Sequence, residues 1–277
     1  MKAFLAWFLR SVLHYRSDVV MVNLSRSFPE KSYEEIKALH HRFYTHLATV
    51  FVETLRFGRY RGDKGRKRLH ESHLVEFANP EELNRLYGAS QQLMLLQAHT
   101  GNWELIGGIL NYSYGVPLDL SSDAIAVTYL RLHNARMDAF MARNRTALVA
   151  DLPFDGYVEA GDILRYAIRR RDRKFCYIFI TDQYPYSDYH KVHVNFMHRD
   201  TPTMVGAAAL AVKLDMAVGY LRFECRDDGG YRLSVVPLCD HAAGQDPAEL
   251  MRKYYGLLEE DLRNQPWNYL WTHKRWK

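Results

Sequence analysis

The string His99-Thr100-Gly101-Asn102-Trp103-Glu104 carries residue types suited to proton transfer. A neutral imidazole accepts a proton from a hydroxyl near pH 7. A carboxylate within reach fixes the ring's tautomer and stabilises the imidazolium that forms. The expected pair is therefore His99 as general base and Glu104 as its orienter, with Gly101, Asn102 and Trp103 shaping the turn between them. A His-x4-Glu spacing is common, and by itself it reads as a surface histidine beside a glutamate placed to suit a helix dipole.

The flanking residues sharpen the reading. Residues 93–96 form an apolar run short enough for a buried strand. Leu105, Ile106, Ile109 and Leu110 then mark an apolar helix face, with Asn102 as the expected N-cap and Gly101 as a tight turn before it. This puts His99 at a strand's carboxyl end and Glu104 in the first turn of the next helix, where α/β folds hold their sites.

In its wording, H-x-G-N-W-E, this string resembles the H-x4-[DE] motif of the lysophospholipid acyltransferase superfamily, in the branch of the late acyltransferases of lipid A biosynthesis. Three further elements follow the family in order. They are the segment from Tyr15 to Ser32, the triplet Thr181-Asp182-Gln183, and the tail Trp271-Thr272-His273-Lys274-Arg275-Trp276-Lys277. Together they span nearly the whole chain.

The resemblance implies an O-acyltransferase that moves a fatty acyl chain from acyl carrier protein or acyl-CoA to a hydroxyl of a membrane lipid precursor of the lipid A type. The thioester is a co-substrate, and no cofactor or metal is expected. Asp182 and Gln183 are expected in or near the site, holding the acceptor or Arg131. The expected substrate contacts are Gly101, Asn102, Trp103, Arg131, Asp182 and Gln183. One element departs from the pattern: the family carries a basic residue directly after Tyr129, but here Leu130 stands there and Arg131 follows. Arg131 either does the same work one place later or points away. The expected location is the cytoplasmic face of a bacterial inner membrane, peripheral or anchored by an N-terminal segment. The family usually begins with a hydrophobic anchor helix, and this chain starts almost directly at what would follow it, so the anchor is expected to be either absent or removed.

Such a transfer needs a base, a stabiliser for the tetrahedral oxyanion and a groove for the chain. A thiolate leaves readily, so direct attack in a ternary complex suffices, without an acyl-enzyme. Amides at the start of the helix after His99 are the expected oxyanion donors.

Composition sets the outer limits. Of 277 residues, 48% are hydrophobic, enough for a sizeable core, and the net charge of +5 points to an anionic partner. Anionic lipid, an acidic carrier and nucleic acid all satisfy charge alone. No nucleic-acid motif accompanies the basic stretch 59–68, and Asp63 interrupts it, so no nucleic-acid partner is expected. Cys176, Cys225 and Cys239 are scattered, which indicates neither zinc site nor disulfide framework. No H-E-x-x-H occurs, and His40 and His41 adjoin on a helix and so point apart. Asn111-Tyr112-Ser113-Tyr114-Gly115 lacks the first glycine of a serine-hydrolase elbow. No stretch reaches the roughly 18–20 apolar residues that span a bilayer.

The remaining pattern predicts the scaffold. Residues 1–15 read as an amphipathic helix with an aromatic and basic flank, fit to lie in a membrane interface or to pack on the core. Ser32-Tyr33-Glu34-Glu35 is a capping box that opens a long helix, and Gly58 follows its end. Residues 59–68 read as a basic loop, either simply solvated, as such runs usually are, or set to meet phosphate head groups or an acidic carrier. A short helix starts at Asn79 and ends before Gly88. Strands are expected at 124–129, 147–150 and 175–181, and helices at 134–144, 159–171, 205–214 and 247–263. A hairpin is expected from 217–223 and 231–237 around Asp227-Asp228-Gly229-Gly230. Alternating strands and helices predict an α/β fold: a mostly parallel central sheet flanked by helices, with an antiparallel margin. A single domain over 1–277 is expected, with a helical N-terminal segment over 1–58 and an α/β core over 90–240. The competing reading is a non-catalytic membrane-surface lipid-binding protein that keeps this fold. The basic stretch and aromatic N-terminus favour it, and the intact His99–Glu104 pair opposes it.

Overall fold

The structure, a computed structural model, describes residues 1–185 and 191–276. Lys277, the last residue of the family-like tail, lies outside the described residues.

In chain order, α1 (Lys2–Trp7) runs on into a π-helical stretch, Phe8–Val12, and is followed by α2 (Ser17–Ser27), α3 (Tyr33–Phe57) and α4 (Gly62–Glu71). Then come β1 (Val75–Phe77), α5 (Pro80–Ala89), β2 (Gln92–Gln97) and a 3-10 segment, Trp103–Asn111. The middle holds β3 (Ile125–Tyr129), α6 (Ala135–Arg145), β4 (Tyr157–Glu159), α7 (Ile163–Arg169) and β5 (Phe175–Ile180). The rest is β6 (Lys191–Phe196), β7 (Arg199–Met204), α8 (Gly206–Lys213), β8 (Ala217–Cys225), β9 (Tyr231–Cys239) and α9 (Pro247–Asn264).

β2 sits in the middle of a seven-stranded sheet of order β1-β9-β8-β2-β5-β3-β4. It pairs in parallel with β5 on one side and β8 on the other. Among the described residues of this sheet only β8 and β9 pair antiparallel, so it is mostly parallel with an antiparallel margin, as the sequence pattern predicts; β6 and β7 form a separate antiparallel pair. All six residues of β2 are buried. Alternation sends Met94 and Leu96 into one hydrophobic core and Leu93 and Leu95 into the other, because helices cover both faces. Each such side chain contributes about 1.5–3 kcal/mol through removal from water.

The capping box forms as the sequence specifies: the Ser32 side chain takes the Glu35 amide, and Glu35 reaches back to the Ser32 amide at 2.8 Å. Some local readings need correction. Residues 62–71 are helical, because the stretch buries Gly65 and Leu69 and pairs Arg66 with Asp151. Residues 147–149 form a 3-10 turn, and the strand falls later, at β4. The β6–β7 hairpin went unread: Val192, Val194 and Phe196 alternate as a strand should, but the partner strand is mostly polar and holds Pro202, so it carries no strand signal of its own.

Among the described residues no helix is long and apolar enough to cross a membrane. The stripe of residues 1–13 points outward in part, with Phe4 and Trp7 well exposed and their rings 5.7 Å apart.

Candidate active site

His99 lies two residues past the end of β2, and Asp182 two residues past the end of β5. The two strands run parallel at a fixed offset of 83 positions, which continues beyond their ends and sets His99 opposite Asp182. His99 Nδ1 is 2.7 Å from Asp182 Oδ1. The Gln183 side-chain amide meets the other ring nitrogen, Nε2, at 3.2 Å. With Nδ1–H donated to the carboxylate, Nε2 is left with the lone pair, which accepts from Gln183. This is the tautomer a general base needs.

Asp182 is almost wholly buried. Burial pushes its carboxyl up, but the His99 charge, the hydrogen bond to that ring and the nearby backbone amides hold it below the usual carboxylate range.

Glu104 is not the partner of His99. Its oxygens take Arg145 Nε at 2.6 Å and Nη2 at 2.7 Å, a two-pronged pair, and Arg145 Nη1 reaches the Tyr157 hydroxyl at 3.1 Å. Burial lowers the Arg145 guanidinium's affinity for its proton, yet Glu104 outweighs it and holds the group above its ordinary value. Two causes separate Glu104 from His99. Both ring nitrogens are already occupied, and residues 103–111 wind as a 3-10 helix of about three residues per turn, not as the expected α-helix. Trp103 lies between the two clusters: its ring meets the His99 ring edge-on at 5.0 Å, and its Nε1–H donates to Glu104 at 3.2 Å.

The turn after His99 is braced from behind. Gly101 has φ +58°, and a Cβ there would meet the Phe223 ring at 2.7 Å, so both backbone and space call for glycine. Its amide donates to Asn268 Oδ1 at 2.6 Å. Asn102 does not cap the next helix with its side chain. It is fully buried, and its side-chain amide donates to Glu53 Oε2 at 3.1 Å. The Gly101 amide is thus already engaged.

In front of His99 opens a cavity of about 890 Å³, near the top of the roughly 300–1,000 Å³ range of small-molecule sites. His99, Trp103, Glu104, Arg145 and Gln183 all line it. It bends round the carboxyl ends of β3 and β5 and so touches both sides of the sheet. Ile106 and Ile109 wall one lobe, and Ala207 and Leu210 of α8 wall the other.

The sequence-predicted residues thus divide. His99, Trp103, Asp182 and Gln183 come together. Gly101 and Asn102 stand behind the turn. Arg131 is two-thirds exposed and pairs with Glu159 at 3.2 Å, so of the two readings left open for it, the structure takes the one that points away. Arg145, Tyr157, Glu53 and Asn268 were missed, since nothing in their local sequence marks them. Among the described residues no group of acidic, histidine or cysteine side chains could hold a metal ion.

A family model described as bacterial lipid A biosynthesis acyltransferase matches residues 1–277. A search of curated proteins finds no match.

Proposed function

The chain belongs to the bacterial lipid A biosynthesis acyltransferase family, and from that premise we propose how its site moves the chain. It is an acyltransferase acting on lipid A-like acceptors and is membrane-associated. What carries the mechanism is one arrangement: His99, braced by buried Asp182, faces a large apolar cavity.

The donor is an acyl thioester of a carrier protein or of coenzyme A. Its chain enters the apolar cavity, which excludes water and so suppresses hydrolysis. The acceptor hydroxyl displaces the Gln183 amide from His99 Nε2 and gives its proton to that nitrogen as its oxygen attacks the thioester carbonyl. Asp182 stabilises the imidazolium. The tetrahedral intermediate then collapses: the C–S bond breaks with its electron pair going to sulfur, and the imidazolium gives its proton to that sulfur, which departs as the thiol and leaves His99 neutral again. Glu104 acts by holding Arg145, which presents its guanidinium and the Tyr157 hydroxyl to polar parts of the substrates. The exposed aromatic face of residues 1–13 rests on the bilayer, at the cytoplasmic face where thioester donors are available.

The test presents purified protein with acyl carrier protein thioester or acyl-CoA, and with a lipid A precursor or phosphatidylglycerol as acceptor. Mass spectrometry reads the product. An ester on the lipid A precursor supports the reading, and no acyl gain on that precursor from either thioester overturns it.

A further inference from the structure

Glu53 does not line the cavity, yet it ties two distant parts of the chain together. It sits on α3 and is buried. One carboxylate oxygen, Oε1, takes Lys2 Nζ at 2.7 Å. The other, Oε2, accepts from Asn102 Nδ2 at 3.1 Å and from the Tyr231 hydroxyl at 2.7 Å. A single carboxylate therefore joins the first turn of α1 to the turn that follows His99. Burying such a charge is costly unless it is paired and hydrogen-bonded, and Lys2 supplies the countercharge.

The helix at the other end of this link faces outward. Met1, Phe4 and Trp7 are half to three-quarters exposed, and on α3 Phe51 and Leu55 are exposed on either side of Glu53 in the sequence. Arg10 and Arg56 stand close to them in the sequence. Exposed aromatic and aliphatic side chains flanked by cations suit an anionic bilayer surface. Lys2 is partly exposed, so its freedom depends on how firmly α1 is seated.

We propose that Glu53 is a positioning residue that couples the seating of α1 on a lipid bilayer to the geometry of the turn holding His99. On the bilayer, α1 is fixed, Lys2 stays on Glu53, and Glu53 holds Asn102. Off the bilayer, α1 loosens, and the turn loses part of its brace. The catalytic arm of the proposal rests on the function argued above; the structural arm does not.

Hydrogen exchange read by mass spectrometry tests it on the full chain without substrate, with and without phosphatidylglycerol–phosphatidylethanolamine vesicles. Vesicles are expected to slow exchange in the peptide spanning 98–105 about tenfold, the scale of one charge-assisted hydrogen bond. Lys2→Met keeps Phe4 and Trp7, so Trp7 fluorescence still shifts on vesicles, but the slowing over 98–105 is lost. Lys2→Arg restores it. In transfer assays Lys2→Met lowers kcat about 10- to 100-fold with KM for the thioester held, and Lys2→Arg recovers it. The proposal is overturned if wild-type protein does not bind the vesicles or if Lys2→Met exchanges over 98–105 as wild type does. It also fails if the loss in Lys2→Met extends equally to the β5 peptide over 175–180, since Lys2 then only stabilises the fold. Transfer activity surviving in His99→Ala would sink the proposed function and leave the exchange result standing.

Discussion

Glu104 and Arg145 form a two-pronged ion pair at 2.6 and 2.7 Å, five residues after the histidine that Glu104's spacing would have it serve. The pair lines the cavity, with Glu104 largely buried and Arg145 about a quarter exposed. Removing one member strands the other. Glu104→Ala should destabilise by up to about 3 kcal/mol in urea unfolding, and Arg145→Ala similarly. The double variant should lose clearly less than the sum, since the two act as one unit. The same non-additivity should appear in kcat. Strictly additive losses would mean that Glu104 serves something other than Arg145.

In the proposed function the acyl chain lies in the lobe beside α8. Ala207 is buried there and lines the cavity. Ala207→Trp should fill part of the lobe. It should shift the ratio of kcat/KM for long against shorter acyl thioesters by at least about tenfold, the worth of roughly two methylenes at 0.8 kcal/mol each. Competition assays with mixed thioesters read this ratio. An unchanged chain preference would place the chain elsewhere.

Two histidines near the site make stability depend on pH. Burial pushes the His46 and His273 imidazoles down, each to about 4 from an ordinary 6.5. A histidine whose folded value is depressed contributes stability that is present above 6.5 and lost as pH falls toward 4. Thermal stability should therefore drop over that window, by on the order of 2 kcal/mol per histidine. His46→Leu should flatten the slope of Tm against pH between 6.5 and 4. An unaltered slope would show that His46 is not buried neutral.

The strand–turn reading of residues 93–102 follows from local composition, and it located His99, Gly101 and Trp103 correctly in space. The parallel sheet was legible for the same reason, since apolar runs such as 175–180 read as strands covered on both faces. The partner of His99 was not legible. It depends on the register of β2 against β5, a relation across 83 positions that no local pattern encodes. Asp182 was expected near the site, but as a residue that holds the acceptor or Arg131 and not as the partner of His99. Glu104 misled because the spacing argument assumed α-helical winding, and the segment winds as a 3-10 helix. Arg145 ends a helix far along the chain, and its guanidinium reaches the cavity only once α6 is docked.

The central claim is that His99, oriented by Asp182, is the base. The most direct measurement is the rate of thioester-to-lipid acyl transfer by folded His99→Ala and Asp182→Asn proteins. His99→Ala should lose about 100- to 10,000-fold in kcat. Asp182→Asn should lose a comparable factor, because the ring is then left in the wrong tautomer. Wild-type turnover in either folded variant would contradict the account.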